Sequence, residues 1–146
     1  MKALFLFSAV VFSSVCTADP SNYACVHLQI AIKNNTPNTC YLLTEELTNN
    51  SILLPTHDIS FKIGPNEEAP PLHILSDSIL GPASIELVYE CGEGSYIRLD
   101  SQKNACGNQN TVSTGVLYAA NLRATAQTSP ASYWYNKPAK ITWTIE

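Results

Sequence analysis

Three consecutive aromatic residues near the carboxyl end, Tyr133, Trp134 and Tyr135, have side chains well suited to binding a ligand. Large aromatic rings stack on sugars and anchor protein interfaces. In a strand, Tyr133 and Tyr135 would face one side and Trp134 the other, so at least one ring should reach the surface. The alternative is structural, with Trp134 in the core and the tyrosines along a sheet edge. The functional hypothesis is a protein-binding or glycan-binding patch over Tyr133, Trp134 and Tyr135.

The pair His57 and Asp58 is the main candidate for acid–base chemistry. A histidine beside a carboxylate could be half of a general-base pair. No G-x-S-x-G or H-E-x-x-H motif accompanies it, and Asp58 is explained by a turn between two strands. We therefore predict no catalytic residues and a non-catalytic protein. The alternative is a small secreted hydrolase that uses His57, Asp58 or a pair of glutamates.

Glutamates provide the other possible acid–base pair, with Glu86 and Glu90 on one face of a predicted strand. Four residues along a strand separate their carboxylates by roughly 13 Å. The carboxylates of glycosidases lie about 5 to 9.5 Å apart, so either glutamate would need a partner from another strand. We expect these residues to form a solvated sheet face or to protect an edge.

Four cysteines remain once the amino-terminal segment is removed: Cys25, Cys40, Cys91 and Cys106. An even number in an exported chain predicts two disulfides. Cys25 and Cys40 would lie at opposite ends of one strand, roughly 25 Å apart, whereas a disulfide needs Cα atoms within about 7 Å. This disfavours Cys25–Cys40 and its complement Cys91–Cys106, and leaves two pairings open. No C-x-x-C pair is present, and we predict no metal site and no cofactor.

Residues 1–18 have the features of a secretory signal peptide. Lys2 precedes the apolar run from Ala3 to Phe12, and Cys16-Thr17-Ala18 places small residues at a cleavage site after Ala18. The run is about half the roughly 20 residues that span a bilayer. The prediction is a secreted or periplasmic protein with no integral membrane span after cleavage. Lipidation at Cys16 and an uncleaved anchor are the alternatives.

The charge of the mature chain narrows the range of partners. Loss of Lys2 from 8 basic residues leaves 7 against 12 acidic ones, a net charge of −5. Nucleic acids and anionic membrane surfaces attract basic patches, so this balance argues against both. We expect a protein or glycan partner outside the cytoplasm, and no nucleic acid.

Two-residue alternation of apolar and polar residues predicts an all-β chain. Strands are expected over Cys25 to Lys33, Cys40 to Leu47, Ser51 to Leu54, Ile59 to Ile63, Leu72 to Leu75, Ser84 to Cys91, Tyr96 to Asp100, Gly115 to Ala126 and Lys140 to Glu146, with Ser132 to Tyr135 uncertain. Short strands at this spacing predict one antiparallel β-sandwich domain over residues 19–146, immunoglobulin-like or jelly-roll-like. A small barrel is the second choice.

The stretch from Leu28 to Thr36 resembles the opening strand of several secreted β-sandwich families, including aegerolysin-like and thaumatin-like proteins. The resemblance implies a sandwich fold and no particular site residue. A third functional hypothesis follows from such a fold: a structural envelope subunit that adds a strand to a neighbour through an exposed edge.

Overall fold

The computed structural model describes residues 24–49, 51–54, 61–78, 81–104, 111–132 and 135–146, and ten β-strands account for most of these residues. The signal peptide, His57, Asp58, Cys106, Tyr133 and Trp134 lie outside these residues. The strands are β1 (His27–Asn34), β2 (Cys40–Thr48), β3 (Ser51–Leu53), β4 (Lys62–Ile63), β5 (Leu72–Ser76), β6 (Ala83–Cys91), β7 (Tyr96–Lys103), β8 (Val112–Ala120), β9 (Ala124–Ser129) and β10 (Ala139–Ile145).

The strands form two five-stranded sheets, which confirms the predicted sandwich. The first sheet has the order β3-β5-β1-β10-β9 and the second has the order β4-β2-β6-β7-β8. Neighbouring strands are antiparallel except β1 and β10, which run parallel from Leu28 opposite Ala139 to Asn34 opposite Ile145. The sheets do not close into a barrel.

Alternating side chains from both sheets build the core. On β6, Ile85, Leu87 and Tyr89 are buried while Glu86 and Glu90 point outward, as the alternation predicts. Strand β10 contributes the largest buried side chain, Trp143, whose Nε1 donates a hydrogen bond to Ser101 Oγ at 2.8 Å. This bond joins the two sheets and satisfies the one polar atom that the indole brings into the core.

The predicted single strand from Gly115 to Ala126 is wrong, because the structure divides it into β8 and β9. Asn121 lies between them with φ 57°, in the left-handed region that asparagine tolerates and an extended strand does not allow. The chain thereby leaves the second sheet and enters the first. Alternation alone could not reveal this break because apolar and small residues continue through it.

Two-residue alternation along β1 would place His27 opposite Leu28 on the more polar side of the strand, yet the structure buries it. It is 3% exposed, and its Nε2 lies 2.7 Å from Nδ1 of His73 on β5. The two rings pack with their centroids 4.9 Å apart, so the neighbouring strand covers the side chain.

Among the described residues, the helical segments are too short and insufficiently apolar to cross a membrane.

Candidate functional site

A disulfide fastens the end of the second sheet at which β2 begins and β6 ends. Cys40 and Cys91 are directly opposite in the pairing of β2 with β6, and their sulfur atoms are bonded. Cys25 is disulfide-bonded as well, and Cys106 lies outside the described residues. The predicted use of cysteines for disulfides is therefore confirmed at Cys40 and Cys91, and the disfavoured pairing of Cys25 with Cys40 does not occur.

The buried side chain of Asn34 holds the loops at the same end. Its Nδ2 lies within hydrogen-bond distance of the carbonyl oxygens of Asn38 (2.7 Å), Ile63 (3.1 Å) and Gly64 (3.0 Å). Its Oδ1 accepts a hydrogen bond from the backbone N–H of Thr36 at 2.9 Å. One amide thus joins the turn before β2 to the end of β4, so the start of β2 is held in a fixed position.

The hairpin between β6 and β7 is packed closely against that turn. Gly92 has φ 94°, and a Cβ atom there would lie 2.6 Å from Asn38 Nδ2. Only glycine combines this conformation with such a close approach. The hairpin therefore places the residues around it, Glu90, Glu93 and Tyr96, beside the start of β2.

Strand pairing brings three tyrosines to the outer surface of the second sheet. Tyr41 lies opposite Glu90, and Glu90 lies opposite Tyr96, so these side chains form one row across three strands. Tyr118 lies opposite Arg98 in the adjacent row. Tyr41 is 49% exposed and Tyr118 is 59% exposed. We call the outer surface that carries Tyr41, Tyr96 and Tyr118 the tyrosine face.

Carboxylates outnumber cations on the tyrosine face. The carboxylates belong to Glu46, Glu86, Glu90, Glu93 and Asp100, and the cations are Lys62 and Arg98. Arg98 donates from Nε to Glu86 Oε2 at 2.7 Å, contacts the same oxygen through Nη2, and lies 3.8 Å from Glu46 Oε2.

Two pKa shifts reflect this crowding of carboxylates. The Glu90 carboxylate accepts a hydrogen bond from the Tyr96 hydroxyl and raises the pKa of Tyr96. Burial, followed by the nearby charge of Glu86, raises the pKa of Asp100. The negative charges of Glu90 and Glu86 contribute to these shifts. The carboxylates outnumber the two cations, so the face presents a negative potential to an approaching partner.

A cavity of about 360 Å³ opens at the end of the tyrosine face, where the turn before β2 meets the hairpin. It is lined by Asn38, Thr39, Tyr41, Glu90, Gly92 and Glu93. The Tyr41 ring can stack on an apolar surface, while the carboxylates accept hydrogen bonds. These groups match a sugar, with its hydroxyl donors, and equally a basic side chain of a protein.

Tyr135, the described member of the predicted aromatic patch, lies in a turn instead of a strand. The turn joins Ser132 to Lys137, Asn136 within it has φ 47°, and Tyr135 is 77% exposed. The Lys137 amine lies 5.9 Å from the centre of the Tyr135 ring. We call the sequence segment 133–135, of which the structure describes Tyr135, the aromatic loop.

Tyr135 and the tyrosine-face cavity lie at opposite ends of the sandwich. The turn that carries Tyr135 closes at Lys137, two residues before Ala139, which pairs with Leu28 at the start of β1. The cavity lies beside Asn38, which Asn34 contacts from the far end of β1. Tyr135 therefore does not contribute to the cavity.

Sequence reasoning missed the tyrosine face. Alternation already indicates that Tyr96 points outward, because Ile97 and Leu99 point inward on the same strand. It does not reveal that β2 and β7 flank β6, and this pairing is what aligns Tyr41 with Tyr96.

Within the described ranges, no three His, Cys, Asp or Glu side chains come together as a metal site.

Comparison with known proteins shows the fold. No family model and no curated protein matches the chain. The lipid binding protein Nakanori is similar over 83% of this chain and 71% of its own, with a TM-score of 0.60 and 12% identity. IP-1A from Alcaligenes faecalis is similar over 87% and 96%, with a TM-score of 0.52 and 10% identity. RahU, solved with a TRIS molecule, is similar over 84% and 95%, with a TM-score of 0.54 and 10% identity.

Proposed function

We propose that this chain is a non-catalytic binding module that recognises a protein or glycan through the tyrosine face. The observation that carries the proposal is the row of Tyr41, Glu90 and Tyr96, which lies beside the cavity on a solvent-facing sheet surface. Tyrosine gives a rigid contact with a large area and a polar tip, which is why it is common at binding surfaces.

A fixed scaffold supports recognition by this surface. The Cys40–Cys91 disulfide lies under the row, and the Asn34 contacts hold the adjoining turn. Ligand groups arranged in advance lose less entropy when a partner binds. Because the face carries more carboxylates than cations, a protein partner is expected to present lysine or arginine, and its affinity should fall with added salt.

The test is a glycan array and a pull-down from extracellular medium, each with three proteins: the wild type, the Tyr41→Ala, Tyr96→Ala double variant and an Ile52→Ala control, which changes an exposed side chain on β3 of the first sheet. We expect a partner that the wild type and the control retain, with at least tenfold loss in the double variant, about 1.4 kcal/mol. Equal retention by all three proteins would place the binding site elsewhere.

The aromatic loop is a second proposed contact surface. Tyr135 is exposed on its turn, and Tyr133 and Trp134 precede it directly in sequence. Because Tyr135 lies at the far end from the cavity, a contact through residues 133–135 would involve a different part of a partner or a different partner. Its contribution is therefore separable from that of the tyrosine face by substitution.

Binding to a lipid surface is the alternative function, favoured by the similarity in fold to a lipid binding protein. Exposed Tyr118 and Leu117 could insert between neutral headgroups, whereas the carboxylates disfavour an anionic membrane. Sedimentation with phosphatidylcholine vesicles separates the two functions. Vesicle binding in the absence of any protein or glycan partner would support the alternative and contradict the proposal.

We also propose an extracellular or periplasmic location. The Cys40–Cys91 disulfide fits an oxidising compartment. The signal-like segment 1–18 would direct export and be removed after Ala18.

A further inference from the structure

Strand β8 forms one edge of the second sheet and carries no charged side chain. It follows β7 in the sheet order, and none of the described strands pairs with its other side. Residues 111–122 contain no Asp, Glu, Lys, Arg or His. Val116, Leu117 and Tyr118 are 42%, 53% and 59% exposed. Such an edge presents unpaired backbone N–H and C=O groups, which are a template for another strand.

The other described edges of the sandwich carry the protection that β8 lacks. Strand β4 has two residues and includes Lys62, and β3 has only three residues. Strand β9 exposes polar threonine, glutamine and serine side chains and is followed by Pro130. Short length, charge and proline are the usual devices against edge pairing. On β8 the only such device is a bulge at Leu117, between Val116 and Tyr118.

We propose that β8 pairs antiparallel with β8 of a second copy of this chain. Each copy has a net charge of −4 as the full chain and −5 after loss of Lys2, so two copies repel each other over most of their surfaces. The uncharged stretch 111–122 is where they can meet without bringing carboxylates together. A basic partner would instead select the carboxylates of the tyrosine face. An apolar, uncharged edge fits another edge of the same kind, and a two-fold axis brings the same residues of both copies together.

This pairing has a consequence for binding that rests on the function proposed above. Two antiparallel neighbours in a sheet are related by an axis perpendicular to the sheet, so both copies present the same face on the same side. The two tyrosine faces would then form one continuous bivalent surface. A partner with repeated epitopes would bind the pair more tightly than it binds either copy alone.

The pairing is expected to be weak. Nine residues span roughly 30 Å, and a sheet edge is about 10 Å thick, so each copy buries about 300 Å². The total of about 600 Å² is below the roughly 1,200 Å² of stable complexes. The dimer should therefore form only as the protein concentration rises.

Sedimentation velocity of the mature protein between about 5 µM and about 500 µM tests the pairing, because dissociation constants in the micromolar range correspond to weak association. The variant is Leu117→Lys, and the control is Ile52→Lys on β3, since both side chains are 53% exposed. We expect the wild type and the control to form dimers as concentration rises. Self-association of Leu117→Lys should be at least tenfold weaker.

Hydrogen exchange provides a second readout that does not depend on a substitution. Amides of residues 112–120 in the wild type should exchange more slowly at the higher concentration. A wild type that stays monomeric throughout, or equal dimerisation by Leu117→Lys and the wild type, would overturn the inference. Binding of a monovalent partner to a monomeric protein would still support the tyrosine face, so the two proposals can fail separately.

Discussion

Lys103 is a basic side chain enclosed in the sandwich, with 1% of its surface exposed. Its Nζ donates a hydrogen bond to the carbonyl oxygen of Asn104 at 3.0 Å. Among the described residues, no carboxylate lies within ion-pair distance of it. Burial lowers the pKa of the Lys103 amine, because the charged form loses its hydration. The charge therefore destabilises the fold at neutral pH.

Replacing this lysine should stabilise the protein. We expect Lys103→Met to raise the free energy of unfolding by about 1 to 3 kcal/mol, the usual cost of burying a polar group without its full set of hydrogen bonds. The melting temperature should rise by about 4 °C per kcal/mol. The control is Lys140→Met on β10, where the lysine is exposed and the change should stay within about 0.5 kcal/mol.

The pH dependence gives an independent check on Lys103. In the unfolded chain the amine titrates at the ordinary value of 10.5, and in the folded chain it titrates lower. Between these two pKa values the unfolded state binds more protons, so wild-type stability should rise with pH through this window. The Lys103→Met variant should lack this rise. If thermal melts show the same dependence of stability on pH for both proteins, the Lys103 amine is charged in the folded state and its hydrogen bonds compensate for its burial.

Trp134 has two interpretations: it contacts a partner at the surface, or it packs in the core. We expect Trp134→Ala to weaken binding of the partner retained by the wild type and to leave the melting temperature nearly unchanged. A buried tryptophan would instead cost about 3 to 5 kcal/mol on truncation. Calorimetric melting of the variant distinguishes the two, and a large loss of stability would place Trp134 in the core.

For a single residue, the sequence predicts which side of the sheet the side chain faces better than it predicts which side chains lie beside it. Alternation along β6 assigns Glu86 and Glu90 outward, and the structure agrees. It does not show that Arg98 lies beside Glu86 or that Tyr41 shares a row with Tyr96. These contacts depend on which strands pair and in which register, and both are set by packing between residues distant in sequence.

The elements that sequence reasoning misplaced are those where one residue changes the backbone. Asn121 ends β8 and Asn136 lies in the turn that carries Tyr135, both with positive φ. Asparagine is compatible with a strand, a turn or a left-handed position, so its identity alone does not reveal a break. The parallel pairing of β1 with β10 was equally hidden, since it joins the two ends of the domain.

The partner of Cys25 in its disulfide can be identified by experiment. Cys40 and Cys91 are bonded to each other, and Cys25 is also disulfide-bonded, so in a chain cleaved after Ala18 its expected partner is Cys106. Non-reducing mass spectrometry should give a protein that begins at Asp19 and is lighter by the four hydrogens that two disulfides remove. Peptide mapping should recover a Cys25–Cys106 pair.

Three results would contradict that assignment. Free thiols would remove the second disulfide, a bond between Cys25 and Cys16 would show that the signal segment is retained, and a lipid on Cys16 would anchor the protein. Reduction of the sample before digestion is the control, because it should abolish the cross-linked peptides and leave the amino terminus unchanged.

The whole molecule is a sandwich whose fold was largely predictable and whose binding surface was not. Segments of alternating apolar and polar residues, separated by frequent turns, are sufficient to indicate two packed sheets, because each strand must bury one face. The same fold occurs in proteins of 10% to 12% identity, so very different sequences satisfy this constraint. Function depends on which outward side chains become neighbours, and that varies while the core pattern persists.

Isothermal titration of the retained partner tests the central claim, that recognition lies on the tyrosine face, most directly. The titration is done at a protein concentration low enough to keep the chain monomeric, with the wild type, the Tyr41→Ala, Tyr96→Ala variant and the Ile52→Ala control. If recognition lies on the tyrosine face, the dissociation constant should be at least tenfold higher for the double variant and changed less than about twofold for the control. An unchanged dissociation constant in the folded double variant would contradict it.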